Sequence, residues 1–385
     1  MKIERINDWF ARRGKWMIQR RWLVLSLSIL VFAIGFTGLR YFKVSASWED
    51  YFLEDDPMLV KTEEFKDIFG NDNFAAVLTR CDNLFTKENL QLIRELTNEM
   101  MDSLSYADKI TSLTDIEFMV GSEEGMTIEQ IVPETIPSDP AQLEEIRHKA
   151  YLKPHVAERL VSKDGTLSWI ILKLRTFPED SVWNKGKNAV APEVLTGNEL
   201  DHIITKDKYQ KLHPKGTGLP YVTAMKMKWI SKEMPRVLGI ATLISILILL
   251  LVTRSFRGVV VPLVTAVGSI IIVYGMLGYV GMTIDSGMVM IPMLLTFAVS
   301  IAYNIHVYSY FKRQFLMHGK RTQAVEETVR EMGWPVLFSA LTTFAALLSF
   351  LAIPMQPMRF IGIATSSCVM LAFFIAITLK PVLIS

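Results

Sequence analysis

Residues 22–39 read WLVLSLSILVFAIGFTGL, an uncharged stretch that decides the fold class. A helix of about 20 apolar residues crosses the roughly 30 Å hydrocarbon core of a bilayer. The stretch is longer than the apolar part of a signal peptide, and no small-residue cleavage site precedes a polar start. We therefore predict an uncleaved transmembrane helix here.

Five more apolar stretches lie in the region 236–385. The predicted spans cover residues 237–252, 259–277, 287–307, 336–353 and 360–379. Residues 40–235 are polar and form one domain between the first and second spans. The sequence thus predicts a polytopic α-helical membrane protein with six transmembrane helices in a one-plus-five arrangement.

Basic residues orient the predicted spans. Residues 1–21 hold seven Lys or Arg against two acids, and residues 312–332 hold five Lys or Arg. The loops 278–285 and 354–358 contain no Lys or Arg. By the positive-inside rule, we predict cytoplasmic N- and C-termini, an extracytoplasmic domain 40–235, and an inner (plasma) membrane location.

Charge is unevenly distributed along the chain. Residues 41–233 hold 33 of the 39 acidic and 23 of the 41 basic residues, so they carry −10 and the rest +12. This acidic domain argues against a nucleic acid partner. Residues 1–21 interleave basic residues with Trp9, Phe10 and Trp16, a pattern that predicts contact with the anionic cytoplasmic leaflet. Cys81 and Cys368 fall in different compartments, so we expect no disulfide.

Residues 40–235 have the pattern of a mixed α/β domain. We predict strands at 74–79, 110–119 and 167–174, a hairpin turn at 163–166, a loop at 123–139 and an extended segment at 218–224. We predict helices from Thr86 through Leu104, from Asp139-Pro140 onward, and near 199–210. This order favours split βαβ packing.

Three local patterns accompany the six spans. Residues 250–258 read LLVTRSFRG, residues 333–349 read GWPVLFSALTTFAALLS, and residues 360–384 read FIGIATSSCVMLAFFIAITLKPVLI. With the one-plus-five layout, they make nearly the whole chain resemble the resistance–nodulation–division (RND) superfamily, specifically MmpL-like exporters related to Patched-type and sterol-sensing proteins. The resemblance implies that residues 40–235 form a porter-type domain of ferredoxin-like fold.

The fourth span departs from the family pattern. The family has G-x-D-Y-x-x-H there, and residues 300–306 read SIAYNIH. Tyr303 and His306 match, but Ala302 stands in place of the proton-relaying aspartate. A carboxylate buried in a membrane can cycle between charged and neutral forms, and alanine cannot.

Other residues could replace the missing acid. His306, whose imidazole ordinarily titrates near ~6.5, could relay protons, or it could be a helix-end histidine that touches lipid headgroups. Asp285 could be a helix-start acid or an entry site. A set of small polar side chains could bind a cation or a water chain, or could serve ordinary helix packing: Thr296, Ser300, Tyr303, Asn304, Thr342 and Thr343.

The remaining patterns limit the function. Residues 312–332 predict an amphipathic helix on the cytoplasmic membrane surface. The sequence has no metal-ligand cluster, phosphate-binding glycine loop or Ser/His/Asp arrangement, so we expect no enzyme activity, cofactor, metal or nucleotide.

Three functions are open at this point. The first is ion-gradient-driven export of hydrophobic or lipid-like molecules, by one half of a two-fold assembly. The second half is either the remainder of a longer chain or a second copy in a homodimer. The alternatives are a SecD/SecF-like protein-translocation auxiliary and a non-transporting, sterol-sensing-like lipid-binding regulator.

Overall fold

The structure is a computed structural model. It describes residues 2–45, 49–53, 55–70, 73–122, 125–157, 159–178 and 190–384. The chain divides into two compact units. The membrane unit consists of Met1–Leu59 and Ile230–Ser385, and the sheet unit consists of Val60–Trp229.

Six helices in the described part of the chain are long and apolar enough to cross a membrane. They follow the N-terminal helix α1 (Lys2–Gln19) and are α2 (Arg21–Gly38), α8 (Leu219–Thr253), α9 (Phe256–Val280), α10 (Met290–His318), α11 (Arg321–Leu348) and α12 (Gln356–Ile384). The prediction of a multi-pass helical membrane protein is confirmed.

Several helices extend beyond the apolar runs that predicted them. Helix α12 continues through Pro381 to Ile384, so Lys380 lies inside the helix rather than after its end. The segment 312–332 is not one separate helix. Residues 312–318 complete α10, Gly319 adopts a left-handed conformation with φ +67°, and α11 begins at Arg321.

Glycines bring the first and third spans into backbone contact. Gly35 and Gly38 of α2 face Gly275 and Gly278 of α9. A Cβ atom added to Gly275 would lie 1.8 Å from the carbonyl oxygen of Gly35, and one added to Gly278 would lie 2.4 Å from that of Gly38. Small residues at such positions let membrane helices approach closely, so this pair of helices depends on glycine.

Helix α1 packs against the first half of α11. The ring of Phe10 is buried against Gly333, and Gly14 faces Val329. Asp8 forms an ion pair with Arg330 across the contact at 3.7 Å. The amphipathic pattern of residues 1–21 therefore forms a helix whose apolar face packs on protein. Contact of this helix with anionic lipid stays a prediction.

Short elements complete the membrane unit. Strand β1 (Lys43–Ser45) pairs in parallel with β8 (Thr283–Asp285). Single 3₁₀ turns lie at Leu39–Tyr41, Glu49–Tyr51 and Ser349–Ala352.

The sheet unit contains a four-stranded antiparallel sheet with strand order β3–β6–β2–β7. Its strands are β2 (Phe74–Arg80), β3 (Ala107–Thr111), β6 (Leu167–Leu174) and β7 (Lys215–Thr217). Helices α4 (Lys87–Ser103) and α7 (Pro192–Ile204) are in contact with each other, and a 3₁₀ helix spans Asp207–Leu212. Along the chain, the sheet and these helices follow the order β–α–β–β–α–β.

The core of the sheet unit follows from the alternation of buried and exposed residues along its strands. Every second residue of β6 is buried, including Ile170 and Leu172. These side chains share one core with Leu90, Ile93 and Leu96, which repeat at helical spacing along α4. The remaining elements of this part of the chain are α3 (Pro57–Phe69), β4 (Glu117–Ser122), β5 (Gly125–Gln130), α5 (Pro140–Leu152) and α6 (Pro154–Ala157).

Local signals predicted several elements of this unit correctly. Thr86 caps α4 by accepting a hydrogen bond from the amide of Asn89, and Asp139 caps α5 by accepting one from Ala141. The turn at 163–166 is present, with Gly165 at φ +70°.

Other local predictions were wrong. The strand predicted at 110–119 is two strands, because the Ser112 hydroxyl accepts from the amide of Thr114 and turns the chain. Part of the loop predicted at 123–139 is β5, which pairs with β4. The helix predicted near 199–210 starts earlier, at Pro192, and the segment 218–224 is helical from Leu219.

Candidate functional site

A column of uncharged polar side chains lies on the interior face of α10. Thr296, Ser300 and Asn304 are spaced four residues apart, which places them on one face of the helix, and all three are fully buried. The Thr296 hydroxyl donates to the carbonyl oxygen of Pro292 at 2.6 Å. The Asn304 amide donates to the carbonyl oxygen of Ser300 at 2.8 Å. The column is thus held to its own helix by local hydrogen bonds.

Two polar atoms beside this column have no hydrogen-bond partner among the described residues. They are the side-chain oxygen of Asn304 and the hydroxyl of Tyr303. The hydroxyl lies next to Ser339 and Thr343 of α11 without meeting either in hydrogen-bond geometry. A buried polar group without a partner costs about 1–3 kcal/mol. Each such atom in a native structure calls for an explanation, such as a functional role or a bound water or ion.

Lys380 of α12 adds a charged group to this site. Its side chain is 1% exposed, and its Nζ donates to the main-chain carbonyl oxygen of Asn304 at 2.7 Å. The Nζ atom also lies 5.8 Å from the centre of the Tyr308 ring, within cation–π range. The bond joins the fourth and sixth span helices at the polar column.

His306 lies on the other face of α10. Ala302 and His306 are one turn apart and both are exposed on this unit, while Tyr303 and Asn304 between them are buried. The position at which the family has its aspartate therefore shares the face of His306, not the face of the polar column.

The other predicted site residues make local hydrogen bonds of their own, and Thr343 also lies beside the Tyr303 hydroxyl. Thr342 is exposed and Thr343 is partly buried, and both hydroxyls donate to the carbonyl oxygen of Ser339 at 2.9 Å. Asp285 is buried at the end of β8, five residues before α10 begins. Its carboxylate accepts from the amide of Gly287 at 2.9 Å and from the hydroxyl of Tyr51 at 3.4 Å.

The structure therefore joins Ser300 to Asn304, places Tyr303 beside Thr343, and adds Lys380, which the sequence reasoning missed. The missed signal was a lysine within an otherwise apolar helix, since ionisable residues inside membrane segments are commonly functional. The predicted sixth span followed the apolar run 360–379 and ended before Lys380.

Comparison with known proteins assigns the chain to a family. The model of the MMPL family matches residues 58–385, which is most of the chain. The chain belongs to the MMPL family. A curated membrane protein of Methanocaldococcus jannaschii is 20% identical over 380 residues, covering 95% of this chain and 90% of its own length. The resemblance to RND and MmpL-like proteins is thus confirmed, and the polar column and Lys380 lie within the MMPL-matched region.

Proposed function

We propose that this MMPL-family protein exports hydrophobic or lipid-like molecules across the plasma membrane, driven by an ion gradient. The observation that carries the proposal is the buried polar site where α10 and α12 meet. At this contact the buried Lys380 meets Asn304, whose side-chain oxygen has no hydrogen-bond partner among the described residues, and ionisable residues inside membrane segments are commonly functional. Transport moves the substrate without chemical change, so no catalytic group is required.

The sheet unit would be the porter-type domain through which substrate passes. Its β–α–β–β–α–β order and its antiparallel sheet with strand order β3–β6–β2–β7 support the ferredoxin-like fold that the family resemblance implies. The acidic composition of residues 41–233 and the basic N-terminus support an extracytoplasmic position for this unit.

We infer a two-fold assembly of two such units. The Methanocaldococcus jannaschii relative is matched over 90% of its own length. The second half is either a second copy of this chain or part of a longer chain. The exposed face of α10, with Ala302 and His306, is available for contact with the second half.

One observation favours a different function. Helix α10 contains no aspartate or glutamate, so the usual carboxylate relay of the family is missing. A non-transporting lipid sensor, related to sterol-sensing modules, would not need that relay. The SecD/SecF-like alternative has no comparable support, because it too relies on a relay acid.

Flux measurements in proteoliposomes test the proposal. The full chain would be reconstituted with a pH gradient, and the efflux of a lipid-like fluorescent probe and of protons would be recorded for the wild type, His306→Ala and Ala302→Asp. We expect gradient-dependent efflux in the wild type, at least about tenfold slower efflux in His306→Ala, and faster proton flux in Ala302→Asp.

His318→Ala is the matched control, because His318 is an exposed histidine at the end of the same helix. Its flux should equal that of the wild type. Export is ruled out if the wild type dissipates no gradient, either by itself or with a second half supplied. Probe binding without flux would then support the sensor.

A further inference from the structure

Lys380 occupies a position that packing does not explain. A lysine near the end of a membrane helix usually extends its side chain towards the aqueous interface. Lys380 instead points into the protein, and only 1% of it is exposed. Taking an ammonium group out of water costs several kcal/mol unless an opposite charge and further hydrogen bonds compensate.

The surroundings of Lys380 supply hydrogen bonding but no opposite charge. Among the described residues, no aspartate or glutamate pairs with it. Helix α10 presents the Asn304 carbonyl oxygen and Tyr308, whose ring centre lies 5.8 Å from the amine. Helix α11 presents Thr328 between Val325 and Val329.

Among the described side chains of α1, α2 and α9, no charged group lies against the Lys380 amine, and Arg21 of α2 is exposed. Helix α1 contributes Ile6 and Phe10 to the same apolar cluster, while its Asp8 pairs with Arg330. Helix α9 has no titratable residue from Gly258 through Val273. The amine is therefore enclosed by apolar side chains, one carbonyl oxygen, one phenol and one threonine.

A cavity of about 10 Å³ opens beside Lys380, lined by Thr328, Phe311 and Pro381 among others. This is about the volume that one water molecule needs. A water there could receive a proton from the ammonium and pass it on, leaving a neutral amine. Since R–NH₃⁺ then becomes R–NH₂ and the proton leaves as H₃O⁺, no other reactant is needed.

We propose that Lys380 is a second proton-binding group of the membrane unit, in addition to His306, in place of the absent aspartate of α10. This deepens the proposed function and rests on it for the direction of transport. Loss of the proton removes the buried charge and weakens the bond to Asn304. Gain of the proton restores the charge and favours separation of α12 from α10, because an exposed ammonium is solvated by water. The protonation state thus selects between two arrangements of the fourth and sixth spans.

A pH titration of thermal stability tests proton binding without requiring transport. The full chain in detergent would be heated at pH values from about 5 to about 9, with the wild type, Lys380→Gln and Lys312→Gln compared. Glutamine keeps a donor for the Asn304 carbonyl oxygen but cannot titrate. Lys312 is an exposed lysine of α10 and serves as the control.

We expect the melting temperature of the wild type to fall by several degrees on acidification, relative to Lys380→Gln. Lys312→Gln should follow the wild type. The same pH profile in the wild type and Lys380→Gln would overturn the proposal. If Lys380→Gln fails to fold, Lys380→Arg replaces it. Arginine stays charged throughout this range, so its profile should lack the wild-type change, and an Arg variant that keeps the wild-type profile would equally overturn the proposal.

Flux measurements then separate this proposal from the proposed function. Proton-driven flux should be lost in Lys380→Gln and retained in Lys312→Gln. A wild type that shows the Lys380-dependent titration but no flux would refute export while supporting the proton site. A wild type with flux that Lys380→Gln leaves unchanged would refute the proton site while supporting export.

Discussion

In the sheet unit, the carboxylate of Glu99 is bonded to Lys206, to Lys208 at 2.7 Å and to the hydroxyl of Tyr209 at 2.5 Å. In the membrane unit, the ammonium of Lys380 is bonded to a main-chain carbonyl oxygen, with no carboxylate partner among the described residues. Both units thus cover an ionisable group, but only the sheet unit places opposite charges against it. A paired charge can be explained by stability, whereas an enclosed unpaired charge requires another reason.

The two units also differ in how their elements are joined. The sheet unit is held by a side-chain core, helix caps and ion pairs, while α2 and α9 of the membrane unit meet through the backbone at glycines. Apolar side chains give little driving force between helices in lipid, because lipid tails are equally apolar. Close backbone contact therefore holds α2 and α9 together in the membrane unit, whereas burial of apolar side chains holds the sheet unit together.

The largest expected effect is at this backbone contact. Gly275→Leu should prevent α2 from docking on α9, because even a Cβ atom there would overlap the Gly35 carbonyl oxygen at 1.8 Å. We expect a loss of about 3 kcal/mol or more. The measurement is the fraction of full chain that stays monodisperse in size-exclusion chromatography after heating.

Gly268→Ala on the same helix is the control. A Cβ atom there would approach no closer than 4.0 Å, to Ile375. Its thermal stability should equal or slightly exceed that of the wild type, because alanine favours helix. Equal loss in both variants would mean that helix content, not the close contact, sets the stability of this pair.

A smaller effect is expected at the paired charge of the sheet unit. Burial works against ionisation of Glu99, but the hydrogen bonds from Lys206, Lys208 and Tyr209 outweigh it and lower the pKa of Glu99 from 4.5 to about 2. A carboxyl group with a lowered pKa contributes stability above its unfolded pKa and loses it as the pH falls towards the folded value. The protection of α4 amides in hydrogen–deuterium exchange should therefore fall between about pH 4.5 and about pH 2.

Glu99→Gln should remove this pH dependence and lower the stability by about 1–2 kcal/mol near neutral pH, discounted for the partial exposure of both lysines. Glu88→Gln is the matched control, since Glu88 pairs with Lys211 on the surface, where both side chains are more than half exposed. It should change the stability by less than about 0.5 kcal/mol. Equal effects of the two variants would mean that the covered Glu99 ion pairs stabilise the sheet unit no more than an exposed ion pair does.

The smallest effect is expected at a single helix cap. Thr86→Ala removes the acceptor for the Asn89 amide and should lower the stability of α4 by about 1 kcal/mol. Thr86→Ser keeps the hydroxyl and should leave the stability of α4 unchanged, because serine is at least as good an N-cap as threonine. Exchange of the first-turn amides of α4 measures the difference, and identical exchange in both variants would show that the cap contributes nothing.

Local signals predicted some elements and missed others for identifiable reasons. Thr86 and Asp139 were found because a cap requires only residues within one turn. The strand at 110–119 was predicted as continuous because alternation does not reveal the turn that the Ser112 hydroxyl makes. Strand β5 was missed because the prolines at 133 and 137 indicated a loop, and the predicted loop was extended back over the residues that form β5.

The candidate site was predicted only in part. Ser300, Tyr303 and Asn304 were recognised as polar residues in an apolar run, and all three are buried on α10. Lys380 was missed, and the sequence did not separate the buried face of α10 from the face that carries Ala302 and His306.

By itself, the sequence determined the six spans, the family resemblance and the missing aspartate at residue 302. Apolar length and residue identity are properties of one segment, matched against the fixed thickness of a bilayer. Only the tertiary structure decided that Gly35 meets Gly275 and that Lys380 reaches the carbonyl oxygen of Asn304, 76 residues earlier in the chain. These contacts depend on how separate helices pack, and the environment of a buried charge is set by that packing rather than by its neighbours in sequence.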